Sequence, residues 1–238
     1  MSIQQLIKTA GAAAALAVLA VTATLVTSTR GYAGEHGDDN NGDDQESKVE
    51  RGLDIAPVPL NMGGKNRELV GLGSYIVNAQ GDCDACHSAG PATQYAPGGN
   101  PFFKGNPPAV LNQATYLGGS RIFPSQIPGV TPPIVSRNLT PDKTGRPEGG
   151  RTFEEFRLIM QTGADLDHVH PNCSDPTITT SSTCFPVGVR FNGDVLQIMP
   201  WPLFQNMTEH DLRAIYEYLS AIPCITGPPT GVLHNDCT

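Results

Sequence analysis

Stretches such as GGNPFFKGNPP (98–108) and SQIPGVTPPIV (125–135) are broken by Gly or Pro every few residues, so no regular sheet is expected to run through them. Glycine and proline, 26 and 21 of the 238 residues, make up roughly a fifth of the chain. That share fits short helices joined by long loops and excludes a long α/β enzyme or a coiled coil. Three windows escape the punctuation. Asn66 can cap a helix whose stripe is Leu69, Leu72, Ile76 and Ala79, with Gly81 as its stop. Thr152 and Glu155 form a capping box ahead of Phe153, Phe156, Ile159 and Met160, and Gly163 ends that helix. Thr208 opens a third, with Leu212, Ile215, Tyr216 and Leu219 along one side and Pro223 closing it. The expected class is all-α, and so much loop in one domain needs something large to pack against.

A candidate for that object follows the first helix directly. Cys83, Asp84, Ala85, Cys86 and His87 spell C-x-x-C-H, the attachment pattern of c-type haem. Two thiols three positions apart at a helix end can reach the two vinyl groups of one porphyrin, and the adjacent imidazole can reach its iron. A redox C-x-x-C pair and half of a zinc site are the alternatives. Against the first stands the lack of an alternating βαβ pattern, and against the second the lack of another nearby pair.

The charge balance is 15 Lys and Arg against 23 Asp and Glu, net −8, which argues against a nucleic-acid partner. Residues 1–33 hold Lys8, an apolar run from Ala10 to Val26 and a small-residue exit at Gly31, Tyr32 and Ala33. They read as an export signal cleaved after Ala33, or as a retained anchor through residues 10–26. Either reading puts the remainder outside the cytoplasm, in the periplasm or its equivalent. Residues 34–65 read as an acidic disordered linker and extended lead-in, because 34–50 carry seven acids against Lys48 alone. DDNNGDD lacks the ligand spacing of an EF-hand loop.

A haem iron needs a sixth ligand. Met160, Met199, Met207, His168, His170, His210 and His234 are available after the motif. Met160 lies on a core stripe, Met207 abuts a cap and His210 falls in an exposed first turn. Met199 sits in QIMPWPL, an apolar loop stiffened by two prolines, which can hold a weakly binding sulfur against iron. The reading therefore favours Met199, with a histidine or an open site as alternatives.

The order helix, CDACH, long loop, NLTPD, capped helix, IMPWPLF, MTEHDLRAIYEYLSAIP resembles the class I c-type cytochromes. It is most similar to the haem domains that accept electrons from periplasmic dehydrogenases of alcohols and sugars. The resemblance covers residues 66–223. It implies one covalent haem c, a first and last helix crossing beside it at Gly71, Tyr75, Tyr216 and Leu219, and an NLT loop at Asn138, Leu139 and Thr140 near the haem edge. Trp201, the only Trp, would donate to a haem propionate or fill the core.

Four cysteines remain, an even number in an oxidising compartment. Pairing Cys173 with Cys184 and Cys224 with Cys237 closes two short loops, the second tethering a C-terminal tail at 224–238; crossed pairings are the other choices. In the 164–198 insertion, His168 and His170, flanked by Asp165 and Asp167, read as a solvated polar loop ahead of a disulfide, with a metal or proton-coupled site as the alternative. The expected function is one-electron transfer from a dehydrogenase to an oxidase or a second cytochrome. A permanently bound haem subunit of a dehydrogenase and a peroxidase-type haem enzyme are the alternatives.

Overall fold

The computed structural model describes residues 39–124, 133–167, 195–227 and 234–238. Its elements in order are α1 (Asp39–Ile55), α2 (Arg67–Tyr75), a π turn (Ile76–Gln80), α3 (Cys83–His87) and α4 (Pro91–Gln94). After these come β1 (Ile122–Phe123), β2 (Ile134–Val135), α5 (Pro147–Gly150), α6 (Phe153–Thr162), α7 (Trp201–Phe204) and α8 (Glu209–Leu219). The export segment, the Cys173 and Cys184 pair, His168 and His170 lie outside the described residues. No helix among those described is long and apolar enough to cross a membrane.

The three helices expected from pattern form where their caps stand. The Asn66 side chain accepts from Glu68 N and Leu69 N at 2.8 and 3.1 Å. Thr152 and Glu155 make both halves of the capping box, and Gly163 closes α6 in the left-handed region at φ 72°. Thr208 Oγ1 accepts from Asp211 N at 3.1 Å. Leu212, Ile215, Tyr216 and Leu219 are all buried.

The acidic lead-in is a correction. Residues 39–55 form a 17-residue helix rather than a disordered linker, and its C-terminal half packs on α2 through buried Val49 and Gly52. Residues 44–48 remain exposed, so the like charges stay in water while the apolar end supplies the packing. Arg67 adds a two-pronged bond to Glu50 at 2.7 and 3.0 Å, exposed on both sides and so worth little by itself. A second correction is the antiparallel pair β1–β2, Ile122 opposite Val135 and Phe123 opposite Ile134. Two residues fit between the Gly and Pro breaks, and the ladder is no longer than that.

The helix crossing also differs in detail from the family expectation. Glycines stack three helices: a Cβ on Gly52 would lie 1.9 Å from the Gly71 carbonyl oxygen, and one on Gly71 would lie 2.6 Å from that of Val49. Gly71 thus faces α1. The residue that admits α8 is Gly73, whose Cβ would meet the Ala214 oxygen at 1.9 Å and the Tyr218 Cβ at 2.8 Å.

Where α2 passes into the π turn, Asn78 is inserted into a polar cluster. Its amide donates to the Ser74 carbonyl, to Ser74 Oγ and to Tyr218 OH at 3.0–3.1 Å, and Tyr116 OH donates to its oxygen at 2.5 Å. The two phenol oxygens are 2.8 Å apart. Tyr116 and Tyr218 are 1 % and 0 % exposed, so these hydroxyls are satisfied by one another and by Asn78.

Candidate functional site

The chain turns sharply at Asp82, a non-glycine residue at φ 43°, and enters α3 with Cys83 half-buried and Cys86 exposed. Both are free thiols. Burial, with the negative charges of Asp82, Cys86 and Asp84 adding to it, pushes the Cys83 thiol up to about 12, so it is held neutral. Asp84, between the cysteines, faces inward. Its Oδ1 accepts Leu117 N–H at 2.9 Å and burial pushes it up to about 6. The Gly119 N–H donates to the His87 carbonyl at 2.6 Å, so the loop at 117–119 is fastened to the motif at two points.

His87 Nδ1 lies 2.9 Å from the carbonyl oxygen of Arg137. A carbonyl only accepts, so Nδ1 carries the proton and Nε2 keeps its lone pair. Burial lowers the His87 pKa, the bond to Arg137 opposes this, and the nearby guanidinium lowers it further. The result is a neutral imidazole with one nitrogen fixed and the other free to bind a metal. The partly buried Arg137 side chain pairs with Asp165, Asp167 and Glu148.

Met199 is half-buried and packs against the same core as Cys83, Leu139, Phe204 and Met207. Its loop is closed locally: Trp201 N–H donates to the Met199 carbonyl at 2.8 Å and Leu196 N–H to the Gly163 carbonyl at 2.7 Å. The Trp201 indole N–H donates to the Leu196 carbonyl at 2.9 Å, and a Cβ on Gly163 would stand 2.4 Å from the ring. Trp201 therefore pins the Met199 loop to the end of α6, and its indole N–H is engaged within that loop. Met160 lies in the core, 5 % exposed, and His210 is exposed.

Asn138 is 1 % exposed and its amide is turned to the C-terminal tail, donating to the Ile225 carbonyl at 2.7 Å. Cys224 and Cys237 form a disulfide, with Cα atoms 5.8 Å apart.

Three buried side-chain polar atoms among the described residues have no hydrogen-bond partner: Asp84 Oδ2, Ser88 Oγ and Gln197 Nε2. One lies between the cysteines, one follows His87 and one stands two positions before Met199. Such orphans are rare in native interiors. Together with two free thiols, a neutral imidazole and a thioether, this donor set fits a haem with polar edge groups.

No protein-family profile matches the chain, and no solved structure matches it. It is 29 % identical over 154 residues, 64 % of its length, to the gluconate 2-dehydrogenase cytochrome c subunit of Pantoea cypripedii. It is 30 % identical over 150 residues to the cytochrome c subunits of quinone alcohol dehydrogenase from Gluconacetobacter polyoxogenes and Komagataeibacter europaeus. The chain is similar to the c-type cytochrome subunits of dehydrogenases. The chain spans only 21–23 % of the length of these curated relatives, so the match covers a portion of each.

The acceptor of His87 was invisible in the sequence, because it is a backbone carbonyl 50 positions away and any residue type supplies one. The Asn78, Tyr116 and Tyr218 cluster was equally hidden.

Proposed function

We propose that this chain is a c-type cytochrome carrying one haem c, bound through Cys83 and Cys86 as thioethers and through His87 and Met199 as iron ligands, and that it passes single electrons outside the cytoplasmic membrane. The observation that carries the reading is the His87 Nδ1 bond to the Arg137 carbonyl, which leaves Nε2 as a ligand of fixed direction. The haem supplies a one-electron couple, and methionine as second ligand favours ferrous iron relative to a second histidine. The protein's part is to orient and to exclude water. Cys83 and Cys86, both free thiols, would hold the haem covalently through their sulfurs. Trp201 and the Leu196 carbonyl hold the Met199 loop, and Leu117 and Val77 belong to the buried core against which Cys83 and Met199 pack. Leu203, 71 % exposed four positions after Met199, offers an apolar contact to a redox partner.

The donor in this reading is a dehydrogenase, and the acceptor an oxidase or a second cytochrome. Subunit status within a dehydrogenase complex is the second reading, consistent with these three relatives, each of which is a cytochrome c subunit. Expression with a c-type maturation system tests the proposal. The intact protein should gain the mass of one haem that survives denaturation, and Cys83→Ala/Cys86→Ala should lose it. Two haems per chain, or haem removable by acid extraction, would contradict it. Stoichiometric co-purification of a large subunit from the native source would select the second reading, and peroxide turnover by the native protein would select a haem enzyme.

A further inference from the structure

The hydrogen bond that orients His87 does not end at Arg137. The next side chain, Asn138, is held from two sides: its amide donates to the Ile225 carbonyl at 2.7 Å, and its oxygen accepts from Thr140 N–H at 3.0 Å and from the Thr140 hydroxyl at 2.7 Å. Thr140 Oγ1 in turn accepts from Ile225 N–H at 3.0 Å and from the Asn235 amide at 2.9 Å. A hydroxyl has one proton and two lone pairs, and these three bonds use all of them. The Asn235 amide also reaches the Thr140 carbonyl at 2.7 Å, and Asn235 N–H donates to the Thr226 carbonyl at 2.8 Å. Cys224–Cys237 brackets Ile225 and Asn235 in one closed loop. Thr140 and Asn235 are 0 % and 2 % exposed, so no water competes for this knot.

The opposite side of the segment is equally confined. Leu139 N–H donates to the Leu117 carbonyl at 2.9 Å, and a Cβ on Gly119 would lie 2.6 Å from the Arg137 oxygen itself. Residues 137–140 are thus gripped between the loop fastened to the motif and the disulfide-closed tail.

We infer that Asn138, Thr140 and Asn235, tied by the Cys224–Cys237 bond, are positioning residues for the axial histidine: they fix the Arg137 carbonyl on His87 Nδ1 and so set the donor strength of that ligand toward iron. The inference rests on the haem reading above. A firm N–H···O bond makes an imidazole a stronger donor, which favours ferric iron. Loosening the strap weakens the bond, because hydrogen bonding falls steeply with misalignment, and the balance moves toward ferrous iron.

The test is redox titration of the haem-loaded protein. Thr140→Val keeps the side-chain shape and deletes the hydroxyl shared by three partners. Its ferric–ferrous equilibrium should shift about threefold or more toward ferrous, which at 59 mV per tenfold is about 28 mV upward. Cys224→Ser/Cys237→Ser should shift it in the same direction. Lys143→Ala, which breaks only the exposed tail contact to Asp236, should not shift it. If the double-serine variant does not accumulate, Thr140→Val decides alone. A Thr140→Val protein that melts earlier but titrates with the wild-type potential overturns the inference, since a purely structural role predicts that result. Wild-type protein without covalent haem overturns the haem reading, and the inference with it, so the two failures are told apart by the first spectrum.

Discussion

Gly73 of α2 and Ala214 of α8 touch backbone to backbone, so closely that a Cβ on Gly73 would stand 1.9 Å from the Ala214 carbonyl oxygen. The obstacle is main chain, which cannot swing aside. Gly73→Ala should therefore force the helices apart and cost about 1–3 kcal/mol or more, outweighing the roughly 1 kcal/mol gained in helix propensity. Gly71→Ala, which meets Val49 of α1, should instead release α1 and leave the α2–α8 pair standing. Denaturant melts followed by hydrogen exchange on each helix check both; an unchanged Gly73→Ala midpoint would falsify the crossing.

Met199 and Met160 should separate by readout. Met199→Ala should vacate an axial position, convert the haem from low-spin to high-spin or water-ligated, abolish the weak long-wavelength sulfur-to-iron band and lower the potential. Met160→Ala, in the core, should cost on the order of 2–5 kcal/mol and leave the spectrum alone. Survival of that band in the Met199 variant means that another residue is the ligand.

The buried phenol pair predicts a coupling energy. Tyr116→Phe leaves the Asn78 oxygen without its donor and should cost about 1–3 kcal/mol. Removing the facing hydroxyl as well, in Tyr116→Phe/Tyr218→Phe, should cost less than the sum of the two single changes, because the partners vanish together. Additive melts across this cycle would mean that the hydroxyls do not act as a unit.

Glu148 gives a pH dependence. Burial raises its carboxyl pKa above the ordinary 4.5, opposed by Arg137 and then Arg151, with Asp165 and Glu155 raising it further. A carboxyl with a raised folded value binds its proton more tightly when folded. Its contribution is full below about 4.5, the unfolded value, and is lost as pH rises through the folded one. Glu148→Gln should therefore be more stable than wild type at neutral pH, and the advantage should vanish on acidification. Melting temperatures of both proteins across pH 4–8 measure it, and a variant that is less stable at pH 7 refutes the sign.

What the sequence determined by itself is the set of features whose partners lie within a few residues. Cys83, Cys86 and His87 stand together in one short helix, the three groups of the C-x-x-C-H motif. Asn66, Thr152 with Glu155, and Thr208 cap their helices through bonds to residues two or three positions on, so spacing alone locates them. The α8 stripe is buried as its period requires. Tertiary structure decided whatever depends on partners far along the chain. The acidic lead-in became a helix because Val49 and Gly52 found α2, and Gly73 rather than Gly71 received α8 because α1 already occupied the other face. Trp201 and Asn138 spend their donors on the backbone at Leu196 and Ile225, and His87 is aimed by a carbonyl 50 residues away. A cap is a local hydrogen bond written in side-chain types, whereas a backbone acceptor has no side-chain signature and is selected only when the folded chain brings it within 3 Å.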